Sequence, residues 1–284
     1  MLSRAYVEIT NVCNLRCSFC PGTARPPRFM SAEEFERVAD RLRGHTGYLY
    51  FHLMGEPLLH PHLPALLQAA GDRGFRVCLT TNGTLLPKVG TALLSAPALH
   101  KVSVSLHSFE GNDGADGALR DYLEGVWQFV SAAAEQGILC ALRLWNAGGR
   151  EEKNRAIGAF LSEKLQKDVA DIPADSRGSR TLRPNLFLER AEKFDWPEAG
   201  GALRETEFCL GLRRQIGVLC DGTVVPCCLD SEGTLALGNL LQDDWDTVCQ
   251  GERARRIYEG FSRREPAEEL CRRCGYARRF NRKG

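Results

Sequence analysis

Twelve cysteines in a chain of 284 residues gather at its two ends. Cys13, Cys17 and Cys20 lie near the start; Cys209, Cys220, Cys227, Cys228, Cys249, Cys271 and Cys274 lie towards the end; Cys78 and Cys140 stand between. The first three form a CX3CX2C run that follows a strand-like segment, Ala5 to Thr10, and enters a stretch with Pro21, Gly22, Pro26 and Pro27, so they occupy a loop. Cysteines scattered at random at this frequency would give about 0.02 such triplets. The N-terminus has no apolar h-region, and no run approaches the roughly 18 apolar residues of a membrane helix. The expectation is a soluble, cytoplasmic protein, in which disulfides are disfavoured and grouped thiols read as metal ligation or thiol chemistry. With 37 Lys+Arg against 36 Asp+Glu the formal charge is +1, which supplies no global field for nucleic acid or an anionic membrane.

Three thiolates at CX3CX2C spacing suit three irons of a [4Fe–4S] cube, whose fourth iron is then open to a reactant. Two other readings stand beside it: a zinc site completed by His52, His60 or His62, and three buried structural cysteines. The loop, with Phe19 just before its last cysteine, resembles the radical S-adenosylmethionine (SAM) superfamily. That resemblance implies a SAM-binding [4Fe–4S] cluster held by Cys13, Cys17 and Cys20. SAM would chelate the open iron and be cleaved to methionine and a 5′-deoxyadenosyl radical that takes hydrogen from the substrate.

Periodicity supports an α/β fold. Strand patterns at 5–10, 48–53, 75–80, 102–106 and 138–145 alternate with helix patterns at 32–43, 62–73, 86–94, 117–136 and 151–166, and a possible sixth strand spans 181–188. Ser31 and Glu34 form a capping box at the first helix. Such alternation predicts parallel strands with helices outside, a partial (βα)6 TIM-like barrel, with the chemistry at the strands' C-terminal ends. Met54-Gly55-Glu56-Pro57, Thr81-Asn82-Gly83-Thr84, Ser105-Leu106-His107-Ser108 and Arg143-Leu144-Trp145-Asn146 fall there. The resemblance implies a SAM site of Phe19, Gly55, Glu56, Asn82, Ser105, Arg143 and Asn146. Gly55 and Glu56 would meet the amino group, Ser105 the ribose, and Arg143 or Asn146 the carboxylate. On the residues alone, Asn82-Gly83 is equally a turn and Arg143 an ion-pair partner. Candidates for handling a substrate proton are His52, His107 and Glu189, each also readable as pocket lining. Trp196 reads as a pocket floor or a loop anchor, leading to Gly200-Gly201.

In the second cysteine group, Asp221-Gly222 centres a hairpin between 215 and 228, and a helix is expected over 244–258 before Cys271-X2-Cys274. Cys209, Cys227, Cys271 and Cys274 make a plausible complete ligand set for an auxiliary [4Fe–4S] cluster, with zinc as the alternative. The order CX12GX4C followed by CX2C resembles the SPASM extension of radical SAM enzymes. It is cut short after Cys274 to the twitch form, the cysteine layout of 2-deoxy-scyllo-inosamine dehydrogenases. Spacing favours Cys227 over Cys228 as ligand, and Cys78, Cys140, Cys220 and Cys249 read as structural. The division expected is a core of 1–190 and a small C-terminal β-hairpin/helix iron–sulfur domain of 191–284. Eight Lys/Arg against three acids between Arg263 and Lys283 offer a docking patch for an electron donor such as flavodoxin or ferredoxin, or a solvated tail. A closed auxiliary cluster can only move electrons, so the expected reaction is dehydrogenation of a small polar substrate; a chain starting at strand one has no preceding domain for a leader peptide. A redox-neutral lyase or isomerase, a peptide maturase and a non-catalytic iron–sulfur carrier are the rivals.

Overall fold

The computed structural model describes residues 1–112, 116–197, 202–203 and 207–281. In chain order the elements are β1 (Arg4–Val7), α1 (Ala32–Leu42), β2 (Tyr48–Phe51), α2 (Leu63–Asp72), β3 (Arg76–Thr81), α3 (Leu86–Leu94), β4 (Leu99–Ser105), α4 (His107–Glu110), α5 (Asp116–Glu135) and β5 (Leu139–Ala147). They continue with α6 (Asn154–Leu165), β6 (Ser179–Arg183), β7 (Leu186–Glu192), β8 (Gln215–Val218), β9 (Thr223–Val225), β10 (Gly238–Asn239), α7 (Trp245–Cys249), α8 (Glu252–Arg263), α9 (Glu269–Arg273) and α10 (Arg278–Asn281). The fold is α/β with mostly parallel strand pairing.

Two compact units make up the chain, and neither follows chain order: one comprises 1–13, 21–76 and 194–284, the other 14–20 and 77–193. In the first, β1 pairs in parallel with β2 on one side and with β8 on the other, so a strand from the C-terminal segment continues the N-terminal sheet. β9 and β10 extend it antiparallel. Ala5, Val7, Leu49 and Phe51 are fully buried, and Phe51 meets Phe35 of α1 edge to face at 5.4 Å. The capping box is formed: Glu34 N–H donates to Ser31 Oγ, and Ser31 N–H to the Glu34 carboxylate.

The second unit shows why alternation was so readable. On β4, β5 and β7, Val102, Cys140 and Leu186 stand in register, as do Val104, Leu142 and Leu188, and all six are at most 1% exposed. The next residues along face the other way: Ser105, Arg143 and Glu189 share one level across the three strands. Period two therefore separates an apolar face from a polar one.

Three expectations change. The possible sixth strand over 181–188 is instead part of a hairpin: β6 pairs antiparallel with β7, which pairs parallel with β5. Asn185, with φ +62°, makes the turn, a conformation Asn tolerates better than most residues. The helix expected over 244–258 is two helices broken at Gln250-Gly251. The short α4, between β4 and α5, carries no periodic signal and was not anticipated. Gly200-Gly201 lies outside the described residues. Among the described residues no helix is long and apolar enough to cross a membrane.

Candidate active site

In the first unit, the Gly55-Glu56 motif is fixed by backbone geometry. Gly55 has φ +76°, and a Cβ there would lie 2.4 Å from the Thr10 carbonyl oxygen and 2.9 Å from Asn11. No other residue fits so close to the segment that leads to Cys13. Glu56 N–H donates to the Val12 carbonyl at 2.8 Å, and its buried carboxylate accepts from Leu58 N–H at 3.0 Å. Below the motif, Glu8 of the segment after β1 is fully buried and takes both oxygens to Arg25 Nη2 at 2.7 Å. His52 lies edge-on to Tyr6 at 5.0 Å. His60 is engaged on both nitrogens, Nε2 at 2.9 Å from the Met30 carbonyl and Nδ1 accepting from His62 N–H at 3.2 Å. Burial lowers its pKa.

In the second unit, Asn82 braces the cysteine loop. Its Nδ2 donates to Asn14 Oδ1 at 2.9 Å, while its Oδ1 accepts from Thr84 N–H and Oγ1–H at 3.0 and 2.7 Å. Asn14 Nδ2 closes the ring on Thr84 Oγ1. The turn reading of Asn82-Gly83 holds, with Gly83 at φ +83° supplying the turn. Asn14 and Tyr122, whose hydroxyl donates to the Asn82 carbonyl, were missed because no motif marks them. Phe19 packs at 4.8 Å from the His107 ring. Burial pushes His107 down to about 4, so it is neutral at pH 7, and its Nδ1 contacts the Arg143 carbonyl at 3.1 Å.

Glu189 lies between two cations, Lys101 Nζ at 2.9 Å and Arg143 Nε at 3.4 Å, and Arg143 covers the Trp145 ring at 4.5 Å. The reading of Arg143 as an ion-pair partner describes this contact. Asn146 is engaged by neighbouring residues of the chain. Its Nδ2 donates to the Arg150 carbonyl at 2.7 Å and to Asn154 Oδ1 at 3.0 Å, while Asn154 Nδ2 returns to its Oδ1. That amide is used up in holding the loop before α6.

The four cysteines expected at the auxiliary centre line one pocket of the first unit, with Pro226, Leu229, Phe261 and Leu270 around them. None of the four is in a disulfide. Burial pushes Cys209 up to about 11 and holds Cys227 and Cys271 well above the usual thiol range, so without a cationic core they stay protonated. Yet no three His, Cys, Asp or Glu side chains among the described residues converge tightly enough for a single ion. Four thiolates are the soft donor set a four-iron cube takes, and also that of a structural zinc. Cys228 does not line the pocket; it packs, as do Tyr50 and Trp196, against a buried cluster of Tyr6, Leu53, Met54, Leu219 and Val225. Trp196 is therefore a loop anchor in that cluster. Cys78, Cys140 and Cys220 are buried and Cys249 partly so. The acids of the basic tail are paired: Glu268 with Arg253 and Arg256, Glu269 with Arg273, Glu265 with Arg263.

Comparison with known proteins completes this picture. A family model described as the radical SAM superfamily matches residues 7–146, and one described as an iron–sulfur cluster-binding domain, SPASM, matches 209–275. The chain belongs to the radical SAM superfamily. Within it, the chain is an enzyme of the SPASM-containing group, with SAM, the SAM-binding [4Fe–4S] cluster and additional iron–sulfur ligation as its cofactors. It is 25% identical over 293 residues to a probable GTP 3′,8-cyclase of Methanothermobacter thermautotrophicus, covering 92% of this chain and 94% of that one. It is 29% identical over 195 residues to Fe-coproporphyrin III synthase of Methanosarcina barkeri, a match spanning 66% of this chain and 48% of the synthase. Similar solved structures are BtrN in complex with AdoMet and 2-DOIA (TM-score 0.58, 16% identity, 96% of this chain and 93% of that one) and Streptococcus suis SuiB bound to precursor peptide SuiA (TM-score 0.62, 16% identity, 100% and 74%). At such identities these structures speak for the fold alone.

Proposed function

We propose that this radical SAM enzyme dehydrogenates a small polar molecule. When bound, SAM and its cluster supply the 5′-deoxyadenosyl radical, and an auxiliary [4Fe–4S] cluster supplies an acceptor for one electron. The balance is a C–H hydrogen atom lost to the 5′-carbon, an electron to the acceptor and a proton to a base. The observation that carries the reading is the pocket of Cys209, Cys227, Cys271 and Cys274: four thiols leave no iron open to substrate, so electron transfer is what remains for that centre.

The chain's own residues then divide the work. Cys13, Cys17 and Cys20 hold the SAM-binding cluster. Gly55 lets the Thr10–Asn11 segment that leads to Cys13 pack against it, with Glu56 beside it for the amino group, and Ser105 and Arg143 stand on one strand level for the ribose and carboxylate. Neutral His107, His52 and the doubly paired Glu189 are the proton acceptors on offer. An electron donor such as flavodoxin or ferredoxin supplies the reducing electron.

The second reading is a redox-neutral ring-forming or cleaving reaction, of which a queuine-lyase-like cleavage is one form; similarity along nearly the whole chain to a protein named GTP 3′,8-cyclase favours it. Incubating reconstituted protein with SAM, reductant and candidate substrates, and weighing product against 5′-deoxyadenosine, tests both. One product lighter by two hydrogens per deoxyadenosine is expected. A product of unchanged mass or a cleaved one overturns dehydrogenation, a modified peptide redirects the substrate class, and absence of SAM cleavage leaves an electron carrier.

A further inference from the structure

The turn after α4 grips the cysteine loop at three points. Ser18 N–H donates to the Gly111 carbonyl at 2.8 Å, Arg16 N–H donates to Asn112 Oδ1 at 2.8 Å, and Asn112 Nδ2 donates to Cys17 Sγ at 3.0 Å. Gly111 lets the loop come close: a Cβ there would lie 2.7 Å from the Phe19 ring and 3.3 Å from Cys17 Cβ. The orientation of the Asn112 amide is fixed by its other partners. Arg16 N–H is a donor and needs the oxygen; the Ser108 carbonyl, 2.7 Å from Nδ2, is an acceptor and needs the nitrogen. The end left facing Cys17 is therefore an N–H donor.

We infer that Asn112 is a positioning residue that raises the reduction potential of the SAM-binding cluster by donating an N–H···S hydrogen bond to Cys17. Reduction adds negative charge to a cluster and its thiolates, so a donor aimed at a ligating sulfur stabilises the reduced form more than the oxidised one. Asn112 stands 95 residues from Cys17 and belongs to no cysteine motif. The inference rests on the reading of Cys17 as a ligand.

The test is a redox titration of the full chain with both clusters reconstituted, following the electron paramagnetic resonance signal that changes on adding SAM. Asn112→Ala removes the donor. At the potential that half-reduces the wild type, its reduced-to-oxidised ratio should fall at least threefold, about 28 mV at 59 mV per decade for a one-electron couple. Asn112→Asp keeps an oxygen for Arg16 N–H, so the loop stays tethered, but turns a carboxylate towards Cys17; its ratio should fall further. Iron content should hold in both. A potential unchanged in both variants, with iron full or depleted, overturns the inference and leaves Asn112 a loop tether. Cys17→Ala separates the two readings: if it keeps the SAM-responsive signal and its four irons, the ligand assignment itself fails and the inference falls with it.

Discussion

Replacing Arg25 by Met should destabilise the protein severely, because of what it leaves behind. Glu8 is 0% exposed, and Arg25 supplies its two short contacts, Nη2 to each carboxylate oxygen at 2.7 Å. The backbone N–H groups of Met54 and Cys220 approach the same oxygens at 3.4 Å, too far to replace a guanidinium. Arg25 also donates through Nε to the Ser231 carbonyl at 2.8 Å, so the one side chain ties β1's end to the segment beyond β9. Breaking a buried pair by deleting one partner costs about 3–5 kcal/mol, since the remaining charge stays desolvated. At about 2–4 °C per kcal/mol for a chain of this size, the melting temperature should drop by about 6–20 °C. Removing both charges, in Glu8→Gln with Arg25→Met, should recover part of that loss, because no buried charge is then unpaired. Anaerobic denaturation of cluster-loaded wild type, both single variants and the double variant gives the coupling energy. An Arg25→Met protein within about 1 kcal/mol of wild type would refute the reasoning, since that is the range of exposed pairs. So would a marked salt dependence, because a buried pair is poorly screened.

Other consequences can be checked separately. Cys227→Ala should lower bound iron from about eight to about four per chain, as should Cys271→Ala, whereas Cys228→Ala should keep about eight; iron and sulfide analysis decides. Gly55→Ala forces a Cβ to 2.4 Å from a carbonyl oxygen at φ +76°, and should abolish SAM binding measured by calorimetry on reconstituted protein while lowering the melting temperature. His107, held at about 4 by burial against an unfolded value near 6.5, refuses a proton that the unfolded chain binds between those values. Its contribution is therefore complete above about pH 6.5 and is lost as pH falls towards 4, by at most about 1.4 kcal/mol per pH unit. Denaturation at pH 7.5 and 5.0 should show that slope weakened in His107→Gln, and an identical slope would contradict it. Ser31→Ala removes the cap accepted by Glu34 N–H and should cost about 1 kcal/mol.

Sequence patterns located the strands and helices that have a buried face to reveal. Val102, Val104, Leu142 and Leu188 alternate because a sheet with one apolar face requires it, and the Ser31 box was legible because two side chains close it locally. The β6–β7 hairpin was not legible: Ser179–Arg183 is polar apart from Leu182, its one buried residue, so it carries no period, and its partner was read as a lone strand. The pairing of β8 beside β1 joins residues more than 200 positions apart, which no local pattern encodes. The site divides similarly. Cysteine spacing and Gly55-Glu56 are written in sequence, but the use of Asn146 by Arg150 and Asn154, and of Glu189 by Lys101 and Arg143, depends on which side chains the strands bring level.

Cys227 and Cys228 show how a local rule and a distant contact combine. They lie just past β9, where the chain leaves the strand in a bend at Cys227 and turns at Cys228. Cys227 faces the pocket of Cys209, Cys271 and Cys274, and Cys228 packs elsewhere, against the cluster around Tyr6. Which one faces in follows from the turn: Gly222, at φ +86° with 2.5 Å between a notional Cβ and Asn239 Oδ1, fixes the hairpin's register, so the fifth residue beyond it points to the pocket. Cys228 then falls among Tyr6, Leu53 and Val225, where burial pushes its thiol up to about 12 and the Tyr6 side chain hydrogen-bonds to it. Lengthening the turn by one residue would exchange the two. An insertion after Asp221 that kept iron dependent on position 227 in the present numbering, rather than transferring it to 228, would break the link between hairpin register and ligand choice.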